Sequence, residues 1–444
     1  MKSRNSVVEA LRRADPCPAR KSAGWSRSPD GLAARARAVA TGGLVDAAPL
    51  APSRRRRLAA GLAVVLTVSA IVALFAVLRG PERPVAPRRP EGKRLTGKSF
   101  LAGTWRTLDP GPIKTEFAQH TVWTGREMIV WGSQASDSRL AVAAFNPRTN
   151  TWRHVAGVPL AAHDGAVTAW SGRELFVWGG IDGSVGARPV GGGSPPVGAV
   201  YRPATDSWEI VPRAPIESRS IPVITWAGRE FLVIGGRHAD GGPDYEAAAY
   251  DPVARRWRRL PDLPAPVDLD RSSTAVWDGT AAVVLGQVGI SQTSGAALVA
   301  YHPSSDTWEV LPSPPFAGSD ANLVRTGNQL VAVHWADNPL GYPFLEAATF
   351  DLASRAWTRL APFALRSKCP VFSTVTPAGV VVNCAQTALL DAASGSWRTL
   401  PPYPQDHSPE ARDFVLASVV WTGRELLLFR GDIDPWRQFL RFTP

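Results

Sequence analysis

The feature that most constrains the fold is a short pattern that returns along most of the chain. Its first copy, VWTGREMIVWG at residues 122–132, combines a glycine with an unbroken apolar run. Glycine adopts the positive φ of a tight hairpin, and an apolar run without alternation is typical of a strand covered on both faces. The pattern therefore predicts two antiparallel strands joined by a tight turn. Its seven glycines lie 44 to 56 residues apart, at Gly125, Gly172, Gly228, Gly279, Gly327, Gly379 and Gly423.

A second pattern keeps the same spacing and ends on a tryptophan. Its first copy is AAFNPRTNTW, which ends at Trp152, and degenerate copies end at Trp357 and Trp397. Proline presets φ at the first turn position, and Asn, Asp and Gly tolerate a left-handed residue near the end of the turn. The pattern predicts a second hairpin in each period. Four strands in a period of roughly 50 residues make up one blade of a propeller.

The glycine-ended second strand, the aromatic that follows it and the tryptophan after the second turn resemble the kelch repeat. The resemblance covers residues 101–444. It implies an all-β, seven-bladed kelch-type β-propeller of four-stranded blades. Galactose oxidase contains a similar propeller, so the resemblance also implies an alternative activity, an extracellular copper oxidase. Propellers host many functions, and the activity must be argued from a site.

One strand of this pattern stands apart from its repeat. Residues 103–108, GTWRTL, repeat the outer strand that contains Trp152, but they precede the first full period. The last period, which begins near Val420, has no outer strand of its own. Because a closed ring leaves no unpaired end, we expect the strand around Trp105 to complete the last blade and close the ring.

The amino-terminal part of the chain predicts a membrane anchor. Residues 58–78 are apolar and uncharged, long enough for one transmembrane helix, and follow four consecutive arginines. This positive block predicts a cytoplasmic amino terminus and an extracytoplasmic propeller at the cell membrane. The alternative for the apolar stretch is a cleaved signal peptide. We expect a mostly disordered basic tail at 1–57, a proline-rich linker at 79–102 and the propeller at 103–444.

The charge distribution argues against nucleic-acid binding. Residues 1–98 contain 20 Lys and Arg against 6 Asp and Glu, whereas residues 99–444 contain 29 against 32. The net charge of +11 therefore belongs to the tail and to the flanks of the apolar stretch. A propeller without a positive field is a poor partner for a phosphate backbone.

Two cysteines fall in the predicted extracytoplasmic part. Cys369 and Cys384 flank the weakest hairpin, whose turn is Pro377-Ala378-Gly379. Disulfides persist in oxidising compartments, and pairing the two strands about this turn brings the cysteines nearly opposite each other. We expect a disulfide between them, with free thiols as the alternative.

No ligand set for copper can be placed on this sequence. Five of the seven histidines of the propeller, His120, His163, His238, His334 and His407, are scattered without the spacing of metal ligands, and three of its six tyrosines occupy the repeated turn position. No phosphate-binding loop, nucleophile elbow or zinc-binding helix occurs. We therefore expect no metal or other cofactor, and we place no catalytic residue.

The loops between the second and third strands vary most and are the candidate binding elements, since loops on a rigid scaffold often bind. The sequence predicts a membrane-anchored module that binds a protein or a cell-envelope glycan. Unselected surface loops are the alternative for these segments, and a sensor that relays binding to the cytoplasmic tail is an alternative function. The candidate binding residues are His238, Asp240, Asp244, Tyr245, Asp337, Asn338 and Tyr342.

Overall fold

The computed structural model describes most of the chain from residue 97 onward. The described ranges are 97–113, 117–133, 140–160, 164–181, 198–238, 241–269, 273–288, 295–316, 321–338, 340–365, 371–384, 386–404, 417–430 and 438–444. Within these ranges no helix has the length and apolar character to cross a membrane. The apolar stretch 58–78, Asp240 and Cys369 lie outside the described residues.

The strands form seven antiparallel sheets, each with a path of four strands, arranged as a β-propeller. Blade 1 contains β2 (Phe117–Trp123), β3 (Met128–Ser133), β4 (Leu140–Asn146) and β5 (Thr151–His154). Blade 2 contains β6 (Asp164–Trp170), β7 (Leu175–Ile181), β8 (Gly198–Arg202) and β9 (Ser207–Ile210). Blade 3 contains β10 (Val223–Trp226), β11 (Phe231–Arg237), β12 (Pro243–Asp251) and β13 (Arg256–Leu260).

The next blades repeat the plan, and two of them carry an added two-residue strand. Blade 4 contains β14 (Val267–Asp268), β15 (Thr274–Trp277), β16 (Ala282–Val288), β17 (Ala296–His302) and β18 (Thr307–Leu311). Blade 5 contains β19 (Ala321–Thr326), β20 (Gln329–Asp337), β21 (Pro343–Asp351), β22 (Ala356–Arg359) and β23 (Phe363–Ala364). Blade 6 contains β24 (Phe372–Thr376), β25 (Gly379–Asn383), β26 (Thr387–Asp391) and β27 (Ser396–Thr399).

Blade 7 joins the two ends of the described chain. Its first three strands are β28 (Ala417–Trp421), β29 (Leu426–Arg430) and β30 (Gln438–Thr443). Its outer strand is β1 (Thr104–Leu108), which pairs antiparallel with β30 so that Trp105 lies opposite Phe442. The innermost strands of all seven blades lie side by side, and β28 lies next to β2. The ring is therefore closed by an amino-terminal strand.

The short helix α1 (Gly97–Leu101) precedes this closing strand. Its Phe100 is fully buried, and the Phe100 ring centroid lies 5.7 Å from that of Trp421 and 5.3 Å from that of Phe442. The sequence placed these residues in the linker. The folded unit begins before residue 103 because Phe100 covers the end of blade 7.

The two hairpin turns have the backbone conformations that the sequence predicts. All seven repeated turn glycines have positive φ, between 59° and 139°. In blade 1 the Thr124 hydroxyl accepts from the backbone N–H groups of Arg126 and Glu127 and donates to the Glu127 carbonyl. The second turn also has a left-handed residue, which is Arg255 in blade 3 and Arg355 in blade 5.

The core of the molecule lies between the blades. Within the described residues, buried apolar side chains form seven clusters, and each cluster combines residues of two neighbouring blades. Trp131 of blade 1, for example, shares a cluster with Leu175 and Val177 of blade 2. Removing one blade would expose the apolar faces of both neighbours, so stability depends on a complete ring.

One hydrogen bond repeats at all seven junctions. The indole N–H of the tryptophan in each outer strand donates to a backbone carbonyl just after the outer strand of the preceding blade, at 2.7 to 2.9 Å. The tryptophans are Trp105, Trp152, Trp208, Trp257, Trp308, Trp357 and Trp397. Trp105 donates to Pro401 of blade 6, so the closing junction has the same bond as the others.

Charged side chains add a second link between neighbouring blades. In blade 1 Arg153 bonds Glu127 of its own blade, and it also reaches Tyr201 and Asp206 of blade 2. Blade 3 repeats this arrangement: Arg258 bonds Glu230 of its own blade and also reaches Tyr301 and Asp306 of blade 4. Glu127 and Glu230 therefore each neutralise an arginine that joins two blades.

His120 gives the fold a pH dependence that can be measured. Its imidazole stacks on the indole of Trp131 with ring centroids 5.3 Å apart, and burial lowers the pKa of His120 to about 4. The unfolded chain gains a proton at His120 near pH 6.5 and the folded chain does not, so stability falls as the pH is lowered from 6.5 to 4. The full effect of such a shift is about 3 kcal/mol.

His120→Gln should flatten this part of the pH profile. Chemical denaturation of both proteins at pH 7, 5.5 and 4.5 measures the difference. Equal losses of unfolding free energy in wild type and variant would show that His120 titrates normally in the folded protein.

Candidate binding face

The antiparallel order of the strands gives the ring two different ends. We call the end with the loops between second and third strands the loop face, and the opposite end, with the two tight turns of each blade, the turn face. The described residues of the candidate loops, 237–238 and 241–243 in blade 3 and 337–338 and 340–343 in blade 5, lie on the loop face. The outer strand β1 begins on the turn face, where Thr104 lies opposite Thr443 of β30. Helix α1 comes directly before this end of β1.

The hairpin of blade 3 stands on a buried ion-pair network. Arg219, in the segment that enters blade 3, has a fully buried side chain, with Nη1 2.5 Å from Asp244 Oδ1 and Nη2 2.8 Å from Glu246 Oε2. Its Nε donates to the Glu217 carbonyl. Asp244 Oδ1 also accepts from the Glu246 backbone N–H. These contacts fix the base of the hairpin to the preceding loop.

The carboxyl groups of this network differ in their electrostatics. Burial raises the pKa of Asp244, and the Arg219 charge opposes that shift. Burial also acts to raise the pKa of Glu246, but hydrogen bonding and charge from Arg219 hold it below its usual value. The more exposed His238 lies above the network, with Nδ1 3.3 Å from Asp244 Oδ2. His238 therefore presents the rest of its ring to solvent.

The hairpin of blade 5 has the same backbone frame and different side chains. In blade 3 the His238 N–H donates to the Gly242 carbonyl, and the Gly241 N–H donates to the His238 carbonyl. In blade 5 the equivalent bonds join Asn338 with Tyr342 and Gly341 with Asn338. The left-handed glycines have φ of 85° and 80°. Each position of one hairpin thus corresponds to a position one hundred residues away in the other.

The side chains make the two hairpins chemically opposite. The blade 3 hairpin combines the half-exposed His238 with buried charges. In blade 5 Leu340 and Tyr342 lie two residues apart and are 80% and 66% exposed. The Asn338 side-chain oxygen accepts from the backbone N–H groups of both residues at 2.9 and 3.0 Å. The apolar tip is therefore exposed and conformationally fixed.

The seven candidate residues take several different roles. His238 and Asp244 are close together, whereas Tyr245 packs against the core between blades 3 and 4. Asp337 is exposed and already has an interaction partner, and Asp240 lies outside the described residues. Cys384 is disulfide-bonded, but Cys369 is outside the described residues, so their pairing stays a prediction. Within the described residues no cluster of His, Cys, Asp and Glu has the arrangement of a metal site.

The polar residues beneath these hairpins were not predicted from the sequence. Glu246 bonds Arg219 and Arg259, and its equivalent Glu346 lies 2.9 Å from Nε2 of the buried His334. Both glutamates precede a run of alanines in the third strand of their blade, at positions one hundred residues apart. That offset is visible in the sequence, and it would have shown that the hairpins of blades 3 and 5 are equivalent.

The comparisons with known proteins leave the fold and the site as the basis for assigning a function. No protein-family model matches the chain, and no curated protein is significantly similar to it.

Removing Arg219 tests the network beneath the blade 3 hairpin. Arg219→Met leaves the buried Asp244 carboxylate without its partner and should lower the free energy of unfolding by about 3–5 kcal/mol. Arg219→Met combined with Asp244→Asn should cost less than the sum of the single changes. His238→Ala, at a half-exposed position, is the matched control and should cost about 1 kcal/mol or less. Denaturant titration of the wild type, Arg219→Met, Asp244→Asn, their combination and His238→Ala gives these values, and a cost of under about 1 kcal/mol for Arg219→Met contradicts the network's role.

Proposed function

We propose that this protein is a membrane-anchored, extracytoplasmic kelch-like propeller that binds a protein partner through its loop face. β-Propellers commonly act as protein-interaction modules, and the seven-bladed propeller supplies the rigid scaffold. The proposed anchor is the uncharged stretch 58–78, and its orientation rests on the arginines that precede it.

The exposed tip of the blade 5 hairpin carries this proposal. An aromatic and an aliphatic side chain that are exposed and held in one backbone conformation lose little entropy on binding. Anchor residues of this kind, buried in a pocket of the partner, dominate the energy of many interfaces. Leu340 and Tyr342 fit this description because the hydrogen bonds of Asn338 fix the tip between them.

The chemistry of the tip favours a protein partner over a glycan. A sugar stacks on an aromatic ring but also needs polar groups nearby for its hydroxyls. The Asn338 side-chain oxygen is occupied by the backbone, and Leu340 presents only apolar surface. An apolar protein pocket complements both exposed side chains, and a cell-envelope glycan is the alternative that the experiment must separate.

Site-specific photo-crosslinking in the native membrane tests this function. A benzophenone amino acid at position 342 of the full chain should give a protein adduct of discrete mass, which Leu340→Ser reduces severalfold. The same probe at Val253, 90% exposed on the turn face, is the matched control and should give no such adduct. Equal labelling at both positions, or adducts at position 342 that contain only glycan, would refute the proposal.

A further inference from the structure

The strongest additional site lies on the turn face, between blade 6 and helix α1. A cavity of about 330 Å³ is lined by the backbone of Gly97, by Lys98 and Arg398, and by Ala378, Leu389, Asp391 and Ser396. This volume is at the lower end of the range for ligand pockets, about 300–1,000 Å³. A Cβ placed on Gly97 would lie only 3.7 Å from Arg398 Nη1, so α1 and the arginine meet at the cavity.

Arg398 occupies a position whose arginine is neutralised in blades 1 and 3, whereas Arg106 at the same position of blade 7 is exposed. Arg398 follows the outer-strand Trp397, as Arg153 follows Trp152 and Arg258 follows Trp257. Arg153 bonds Glu127 of its own blade and Asp206 of the next blade. Arg258 has the same two kinds of carboxylate partner, Glu230 and Asp306. In these blades two carboxylates complement one guanidinium.

Both carboxylates are missing around Arg398. The turn of blade 6 begins at Thr376, whose hydroxyl bonds the Gly379 carbonyl as the Thr124 hydroxyl bonds the Glu127 carbonyl. Gly379 therefore stands where blade 1 has its glutamate. In blade 2 Asp206 belongs to the turn that joins the third strand to the fourth. In blade 7 these two strands, β30 and β1, come from opposite ends of the described chain, so no such turn joins them within the described residues. Helix α1 precedes β1 at this position, and its Lys98 lines the cavity instead of an acidic residue.

The remaining acid in the cavity does not replace these partners. Asp391 Oδ1 accepts from the backbone N–H groups of Ala393 and Ser394, as Asp251 Oδ1 accepts from the turn of blade 3. Its carboxylate thus serves the adjacent turn. Within the described residues, neither the Arg398 guanidinium nor the Lys98 ammonium has a hydrogen bond or a side-chain ion pair. The Ser394 hydroxyl and, to a smaller extent, the Arg398 charge lower the pKa of Asp391. One carboxylate therefore faces two cations, and the positive charge that remains in the cavity attracts an anion.

We infer that this cavity binds a phosphate-type oxyanion, which takes the place of the two carboxylates found at the equivalent junctions. A guanidinium binds two oxygens of such a group in one plane, and an ammonium adds a compact charge beside it. The phosphate can belong to a soluble ion or to a lipid headgroup.

The experiment uses the full chain in neutral-detergent micelles, in chloride buffer without phosphate or sulfate. Calorimetric titration with inorganic phosphate measures the free anion. In the second arm, native mass spectrometry counts phosphatidylglycerol bound from doped micelles, with phosphatidylcholine as the neutral comparison. The arm with the tighter binding identifies the source of the phosphate.

Three variants and one control locate the site. Arg398→Gln and Lys98→Gln should each weaken binding about tenfold, since hydrogen bonds to charged groups contribute about 1.5–3 kcal/mol. Ala378→Glu should weaken it similarly by adding a carboxylate while both cations remain. Arg173→Gln removes the same charge from an exposed position on blade 2 and should leave binding unchanged.

Saturable binding that these three variants weaken supports the site in whichever arm it occurs. The absence of saturable binding in both arms overturns it, as does binding that the variants leave unchanged. The cavity is on the turn face and the proposed partner surface on the loop face, so failure of one proposal leaves the other standing.

Discussion

The structure depends on a single repeated constraint, the hydrogen bond from an outer-strand tryptophan to a carbonyl of the preceding blade. Each blade has apolar side chains on both faces, so no blade can bury them alone and the core exists only between blades. The indole bonds fix the spacing at which these faces meet, and all seven junctions have one. At the closing junction the donor is Trp105, which reaches blade 7 from the amino-terminal side of the chain. Closure therefore makes the remaining six junctions stable.

The regularity of the ring makes its departures informative. The hairpins of blades 3 and 5 keep one backbone frame and carry opposite side chains, a buried ion-pair network in blade 3 and the exposed Leu340 and Tyr342 in blade 5. At the junction of blades 6 and 7, Arg398 keeps its place and both carboxylate partners are missing. Both candidate sites are positions where the scaffold is retained and its usual side-chain complement is replaced. They lie on opposite faces, so one molecule can use both.

Much of the fold could be predicted because its signals are local and repeated. The turn glycines, the prolines and the tryptophans mark strand ends directly, and the unpaired copy around Trp105 indicated how the ring closes. The candidate site was harder because its geometry depends on burial and on contacts between distant segments. Asp244 belongs to a predicted loop, but it faces Arg219 rather than solvent because the segment entering blade 3 covers it. Leu340 was overlooked because an apolar residue in a loop suggests packing, and only the structure shows that nothing described covers it.

Cutting the chain between the closing strand and blade 1 tests the central claim most directly. A protease site inserted at residues 114–116 of the full chain separates β1 from the rest of the propeller without removing it. If β1 closes the ring, the amino-terminal fragment should stay bound to a carboxyl-terminally tagged propeller under native conditions and leave only on denaturation. Trp105→Ala should release it at lower denaturant concentration, since a large aromatic truncation in a core costs about 3–5 kcal/mol. Release of the fragment from a propeller that remains folded and equally stable would contradict the account.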